Sequence, residues 1–286
     1  MGAPVTRRAA TAPDDAIRAL YARLDDLARA AARGELVVTD FLTPRERKYA
    51  TAYLSSRNSE GTACMRGGYD GAERVRAVLL PDYVAGLVPA DDGVDVEDAL
   101  RVAGFSELAD GVRDTTAALK ITGSGYRELT HRDYLGSVLG LGLERDAVGD
   151  IQVADEHTAY LIAKGEIAEF LLQNLTKVAS DTVKVTLLSG GEVVPICRRT
   201  QAISDTVASE RLDCVVAALA NLSRDKAQTA VRSGLVELDY ETAEDCDEIV
   251  TPPCVISIRG IGKFHVTAFD GETRKGRVKL RAEKYI

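Results

Sequence analysis

Between residues 210 and 264 the sequence passes from helical spacing to strand-like spacing, and that passage most limits what the chain can build. Leu212, Val215, Val216, Leu219 and Leu222 recur on one face of a helix, as a core-facing helix requires. Ser223 reads as an N-cap opening a second helix, with Arg224, Asp225 and Lys226 in its first turn. Ala227, Ala230 and Val231 form that helix's inner face, and Gly234 supplies a left-handed stop. A strand is expected over 235–238, then an acidic connection, then a strand over 255–259. The run Gly260-Ile261-Gly262-Lys263-Phe264 turns the chain into a further strand.

Arg224 and Lys226 at a helix N-terminus make a phosphate site, because backbone N–H groups and cationic side chains converge there. The matching residues are Arg211-Leu212-Asp213, Ser223-Arg224, Lys226-Ala227, Gly234-Leu235-Val236 and Ile256-Ser257-Ile258-Arg259-Gly260. Through them the stretch resembles the S4 domain, a small RNA-binding module. It departs from that pattern at Asp239, where the module has Asn, and at Pro253-Cys254, where it has Gly-Asp. The hairpin tip is affected by both departures and the helix pair by neither.

A net charge of −8 sits awkwardly with an RNA ligand, so the distribution of charge matters. The end of the chain gathers Arg259, Lys263, Arg274, Lys275, Arg277, Lys279, Arg281 and Lys284 against Asp270, Glu272 and Glu283. An acidic run, from Glu237 to Glu248, carries no base. Phosphate attraction decays over about 8 Å at physiological salt, so a basic face outweighs an acidic one that stands apart from it. Both runs read equally as solvated faces. The five cysteines show no CxxC spacing, which supports neither a disulfide framework nor a zinc site and points to reduced thiols in a cytosol. Cys214 adjoins the apolar helix face and reads as packing. No apolar stretch is long enough to span a bilayer. The opening residues, with Arg7 and Arg8, read as a frayed terminus rather than a transit peptide, since Asp14 and Asp15 follow.

Taken in order, the chain opens with two helices that read as a support layer. Ile17, Leu20, Tyr21, Leu24 and Leu27 share a face of the first. Thr43, Pro44 and Glu46 form a capping box for the second. Arg45, Arg47 and Lys48 read as its solvated face. Mixed strands and helices follow over 64–188: strands over 73–80, 117–122, 151–153, 158–162 and 182–188, and helices over 95–102, 106–112, 131–141 and 166–175. The interleaving suggests a ferredoxin-like, split βαβ sheet. Ser189-Gly190-Gly191 marks a linker. The expected class is therefore α+β multidomain: an N-terminal helical segment (1–63), a central α/β RNA-binding domain (64–188) and an S4 domain with basic C-terminal strands (189–286).

His131-Arg132-Asp133 copies the kinase catalytic triplet, but Val138 stands where a kinase needs its metal-binding Asn, and no Asp-Phe-Gly occurs. Gly140-Leu141-Gly142 closes a helix and lacks a third glycine, so it is no dinucleotide loop. His131 offers a ligand or a base, or a helical His with a structural hydrogen bond. Gly67-Gly68-Tyr69, Ala72-Glu73-Arg74, the run from Leu129 to Gly136, Leu141-Gly142-Leu143-Glu144-Arg145 and Gly149-Asp150-Ile151 resemble the central domain of the YlmH family. With the C-terminal module the likeness runs over about 41–280, and the segment 82–114 is longer than the family's usual connection.

The resemblance implies a bacterial, cytoplasmic, non-catalytic RNA-binding protein that meets ribosomal RNA and tRNA at the large subunit, in translation or the rescue of stalled ribosomes. It implies a monomer with no cofactor, no metal and no membrane partner. The candidate RNA contacts are Arg211, Arg224, Lys226, Arg232, Arg259, Lys263, Lys275 and Arg277, with His131 and Arg132 in the central domain. The alternative is an RNA-modifying enzyme that docks its substrate through the S4 domain. Neither Arg211-Leu212-Asp213 nor Arg23-Leu24-Asp25 has the Gly-Arg-Leu-Asp setting of a pseudouridine synthase, and a methyltransferase glycine turn is absent.

Overall fold

The computed structural model describes residues 14–57, 62–87, 95–188, 194 and 200–286. The opening residues and the Ser189–Gly191 linker expected from sequence lie outside the described residues. The chain divides into two compact units, 1–196 and 197–286. Among the described residues it is mixed α and β, with eight α-helices and three antiparallel sheets.

The first unit opens with α1 (Asp15–Ala31), where the Asp14 side chain accepts from the Ile17 N–H at 3.0 Å. After β1 (Val37–Val38) comes α2 (Pro44–Ser56), which starts from the complete Thr43/Glu46 capping box. β2 (Ala63–Arg66) and β3 (Arg76–Leu79) complete a three-stranded sheet in the order β1-β3-β2. Every residue of β3 is buried because both its faces are covered. Ala77 and Leu79 meet Ile17, Leu20, Leu24 and Leu54 of the two helices. Val78 and Leu80 meet a helical hairpin, α3 (Val96–Val102) and α4 (Ser106–Arg113), through Val96, Leu100, Ala109 and Val112. Each such buried Val or Leu contributes about 1.5–3 kcal/mol of transfer free energy. The described residues of 82–114 thus close one side of a core.

The boundary expected at residue 63 cuts through this sheet, since β2 pairs along β3 and β3 pairs with β1. The strand expected over 73–80 begins later, at Arg76, because the chain before it turns at Gly68 and Gly71, whose φ angles are +78° and +77°. The Asp150 carboxylate holds that turn: it accepts from Tyr69 Oη at 2.7 Å, Glu73 N–H at 2.7 Å and Arg74 N–H at 3.2 Å.

The rest of the unit is a five-stranded sheet. In chain order its elements are β4 (Thr116–Gly123), α5 (His131–Leu139), β5 (Val148–Val153), β6 (Thr158–Lys164), α6 (Ala168–Asn174), β7 (Lys177–Val178) and β8 (Asp181–Leu187). The strand order is β5-β6-β4-β8-β7. Leu119, Ile121, Leu161 and Val183 face the helices and bury against Tyr134, Val138 and Leu171. Part of the opposite face is covered by Phe41 and Val194, around Ile162. Arg76, 3 % exposed, donates to the carbonyls of Thr39, at 2.6 Å, and Thr115.

The second unit is a six-stranded sheet with two helices. Its elements are β9 (Thr200–Val207), α7 (Leu212–Leu219), α8 (Arg224–Arg232), β10 (Val236–Leu238), β11 (Glu241–Thr242), β12 (Cys254–Ile258), β13 (Gly262–Glu272) and β14 (Val278–Tyr285). Their order is β11-β10-β12-β13-β14-β9, so β9 and β11 are the edges. One apolar core joins Leu212, Val215, Val216 and Leu219 to Val231, Ile256, Phe264, Val266 and Leu280. Cys214 is buried in it. β9 is not apparent in the sequence pattern: all eight of its residues pair in register with β14, yet only Val207 is buried, so it lacks the alternation of a half-buried strand.

Candidate nucleic-acid interface

The site begins with a buried carboxylate. Asp213 occupies the first turn of α7 and its side chain is fully buried. It accepts from Arg211 at 3.2 and 3.1 Å, from Arg224 Nε at 3.1 Å and from Gln228 Nε2 at 2.7 Å. Burial alone would raise its pKa. The hydrogen bonds from Arg211, Gln228 and Arg224 outweigh that and hold the carboxyl well below the usual carboxylate range. Asp213 therefore fixes two guanidinium groups from different helices, one at the N-cap of α7 and one at the first position of α8. Both guanidinium side chains stay partly exposed, Arg211 at 30 % and Arg224 at 54 %.

Around this pair the sequence candidates are distributed unevenly. Ser223 caps α8 through the Lys226 N–H at 3.4 Å, and the Lys226 side chain is exposed in that turn. Arg232 is exposed in the last turn of α8. Arg259 is exposed at the turn after β12. Lys263 lies over two aromatic rings, Tyr240 at 5.1 Å and Tyr285 at 5.3 Å. Lys275 is exposed in the turn joining β13 to β14, where the Thr273 N–H reaches the Arg277 carbonyl at 2.7 Å. Arg277 is tied to Thr206 of β9, donating to its Oγ1 at 3.0 Å and to its carbonyl. Of these residues, Asp213 brings together only Arg211 and Arg224.

The acidic run does not stand apart from the basic site, as its sequence position suggests. It folds back onto the start of α7: the Leu212 N–H donates to the Glu248 carbonyl at 2.8 Å and the Asp213 N–H to Cys246 at 3.1 Å. Asp247 forms an ion pair with Arg211. Asp239, where the S4 pattern has Asn, adopts a φ of +49° and accepts from the Val255 N–H at 2.9 Å. It serves the turn as a short polar side chain in the left-handed region should.

In the other unit, His131 and Arg132 are exposed at the start of α5. Thr130 and Asp133 form a complete capping box there, with Thr130 N–H to Asp133 at 2.9 Å. Asp133 thus acts as a cap, as its third position in the helix suggests. His131 has no hydrogen-bond partner among the described residues. Desolvation and the nearby charge of Arg145 lower its pKa against the pull of Asp150, so the neutral imidazole is favoured. Arg145, which sequence reasoning did not single out as a site residue, is pushed down to about 10 by burial and by Arg74 beside it. Both arginines donate to the Val148 carbonyl, at 3.2 Å from Arg74 and 2.5 Å from Arg145. Among the described residues no cluster of His, Cys, Asp and Glu has a metal-binding arrangement, and no helix is long and apolar enough to cross a membrane.

The chain is 32 % identical over 247 residues to the ribosome-associated protein quality control protein P2 of Bacillus subtilis strain 168, an alignment covering 86 % of each protein. It belongs to the YlmH family. Residues 16–84 match the family model described as "YlmH, N-terminal", and residues 118–190 match "Putative RNA-binding domain in YlmH". The first match runs through residue 63, as the three-stranded sheet does. A solved structure of the cell division protein ylmH from Streptococcus pneumoniae also aligns, at 18 % identity and a TM-score of 0.46, over 64 % of this chain and 96 % of that one. That score is too low to bear on the fold.

Proposed function

We propose that this YlmH-family protein binds structured RNA on ribosomal particles, without turnover, using the α7–α8 pair as its main phosphate contact. The single observation that carries the reading is the buried Asp213 carboxylate, which presents Arg211 and Arg224 side by side next to exposed Lys226. That arrangement supports an S4-type module. The name of the Bacillus subtilis relative supports a ribosomal setting. The order β5-β6-β4-β8, with α5 and α6 on one face, supports a ferredoxin-like reading of residues 118–190. We further propose that the target is large-subunit rRNA with adjoining tRNA, engaged by a monomer in the cytoplasm. The N-terminal helices and sheet act as scaffold.

The test is co-sedimentation with ribosomal particles at low and moderate salt, with and without RNase. Replacing Arg224 by Glu would set a second carboxylate against Asp213, so the informative variant is Lys226→Glu with Arg232→Glu, both exposed. It should weaken binding and reduce the salt slope by about one counterion for each lost phosphate contact. Unchanged binding at every salt concentration, in a variant of unchanged Tm, would remove the helix pair from the interface. Mass spectrometry of RNA incubated with the protein should find no modified nucleotide.

A further inference from the structure

The helix-free face of the five-stranded sheet carries a pattern that the helix pair does not explain. Alternate residues of a strand share a face. Since Leu119, Ile121, Leu161 and Val183 point to the helices, Lys120, Thr122, Tyr160, Lys184 and Thr186 point the other way. The register sets them in two rows. Gln152, Tyr160, Lys120 and Thr186 run across β5, β6, β4 and β8. Thr158, Thr122 and Lys184 form the next row. One end of this face is closed by Phe41 and Val194 over Ile162, and Tyr160 packs against that cluster. The other end, at Thr122, Lys184 and Thr186, is exposed.

No carboxylate occupies any position in the two rows. Lys120 and Lys184 have no ion-pair partner among the described residues, and the Tyr160 hydroxyl has no described hydrogen-bond partner. A half-exposed aromatic ring therefore has two uncompensated cations to one side of it, Lys120 next to it on β4 and Lys184 beyond on β8, with threonine hydroxyls between them on a central sheet. The ring presents a face on which a base stacks, and the two lysines present charge for successive phosphates as the strand runs from Tyr160 toward β8. A duplex cannot use such a surface, because its base faces are already stacked. Unpaired nucleotides can. The absence of acidic residues from the two rows, with the neighbouring Asp150 carboxylate taken up by Tyr69, Glu73 and Arg74, argues for a polyanion rather than a basic peptide.

We propose that this face is a second RNA site, which takes an unpaired strand with one base stacked on Tyr160 and phosphates at Lys120 and Lys184. The proposal rests on the RNA-binding reading above but concerns different residues and a different form of RNA. All seven row residues fall within 118–190.

The experiment uses the full chain, with a fluorescein-labelled oligouridine dodecamer and an RNA duplex of equal length as probes in anisotropy titrations. Tyr160→Ala should weaken oligouridine binding about 5- to 150-fold, the range expected for losing one stacked base, and leave duplex binding unchanged. Tyr160→Phe should bind as the parent does. Lys120→Gln with Lys184→Gln should lower the single-strand salt slope by about 1.4, at about 0.7 per phosphate contact. Should Tyr160→Ala fail to fold, the lysine pair decides the question. Lys226→Glu with Arg232→Glu should keep oligouridine binding while weakening binding to ribosomal particles. The inference is overturned if the parent chain does not bind oligouridine, or if the lysine pair or a folded Tyr160→Ala binds it normally. Co-sedimentation of the parent with ribosomal particles would then still stand, separating this failure from failure of the broader reading.

Discussion

Replacing Asp213 by Asn keeps its shape and removes its charge. The fully buried carboxylate accepts four hydrogen bonds, three from arginines and one from Gln228 at 2.7 Å. Breaking a fully buried pair costs about 3–5 kcal/mol. Here Arg211 and Arg224 are 30 % and 54 % exposed and regain water when released, which discounts that figure. The asparagine amide also turns a donor toward donors. We therefore expect Asp213→Asn to lose about 2–3 kcal/mol at neutral pH. Urea unfolding followed by far-ultraviolet circular dichroism measures it. The pH dependence gives a second check. The folded-state pKa of Asp213 lies below its ordinary 3.8, so its contribution is present above that value and is lost as pH falls through the folded pKa. The gap between parent and variant should stay constant from neutral pH to about 4 and shrink only below that. A loss smaller than about 0.5 kcal/mol, or a gap that widens on acidification, would refute the account of Asp213 as the anchor of the pair.

Two further outcomes follow from the first unit. Burial and the Asp95 side chain push Glu97 up to about 7 despite its ion pair with Arg66. Its folded pKa exceeds the ordinary 4.5, so its contribution is full below that pH and declines, by up to about 3 kcal/mol, as pH rises toward 7. Glu97→Gln should flatten this slope in urea midpoints measured between about pH 5 and pH 8; an unchanged slope would assign it to another group. Thr130→Ala removes the N-cap of α5 and should cost about 1 kcal/mol, read as a lower Tm and faster amide exchange in the first turn of that helix. No change in either would mean that Asp133 alone holds the turn.

The elements legible in sequence were those whose pattern is local. The Thr43 and Thr130 capping boxes, the Ser223 cap and the Gly234 stop, with its φ of +65°, each rest on a few adjacent residues and a defined backbone geometry. Elements defined by distant partners were not. β1 is two residues long and exists because β3 lies beside it. β9 has almost no buried face and is fixed by its ladder with β14. In the candidate site, the spacing of Arg211, Arg224 and Lys226 was visible, but what gathers the arginines is a carboxylate whose burial only the tertiary fold creates. The return of Asp247 onto Arg211 depends on a loop closure that no periodicity announces. The YlmH-like motif from Gly67 to Arg74, together with Asp150, was legible as a resemblance. Its physical purpose, a turn stapled by one carboxylate, was not.

The place of β14 has a consequence for the order in which the chain is made. β14 lies between β13 and β9, so the strand that opens the C-terminal unit has no partner until the strand that closes it has been synthesised. The first unit finds all its sheet partners earlier and can fold during translation. A nascent chain stopped before Val278 leaves β9 bare along its length and β13 open on one side, with Leu280 and Ala282 missing from the core beneath the helix pair. The basic site built on α7 and α8 is thus the last part of the molecule to become rigid. An interrupted copy carries its cationic side chains without the packed sheet that orients them.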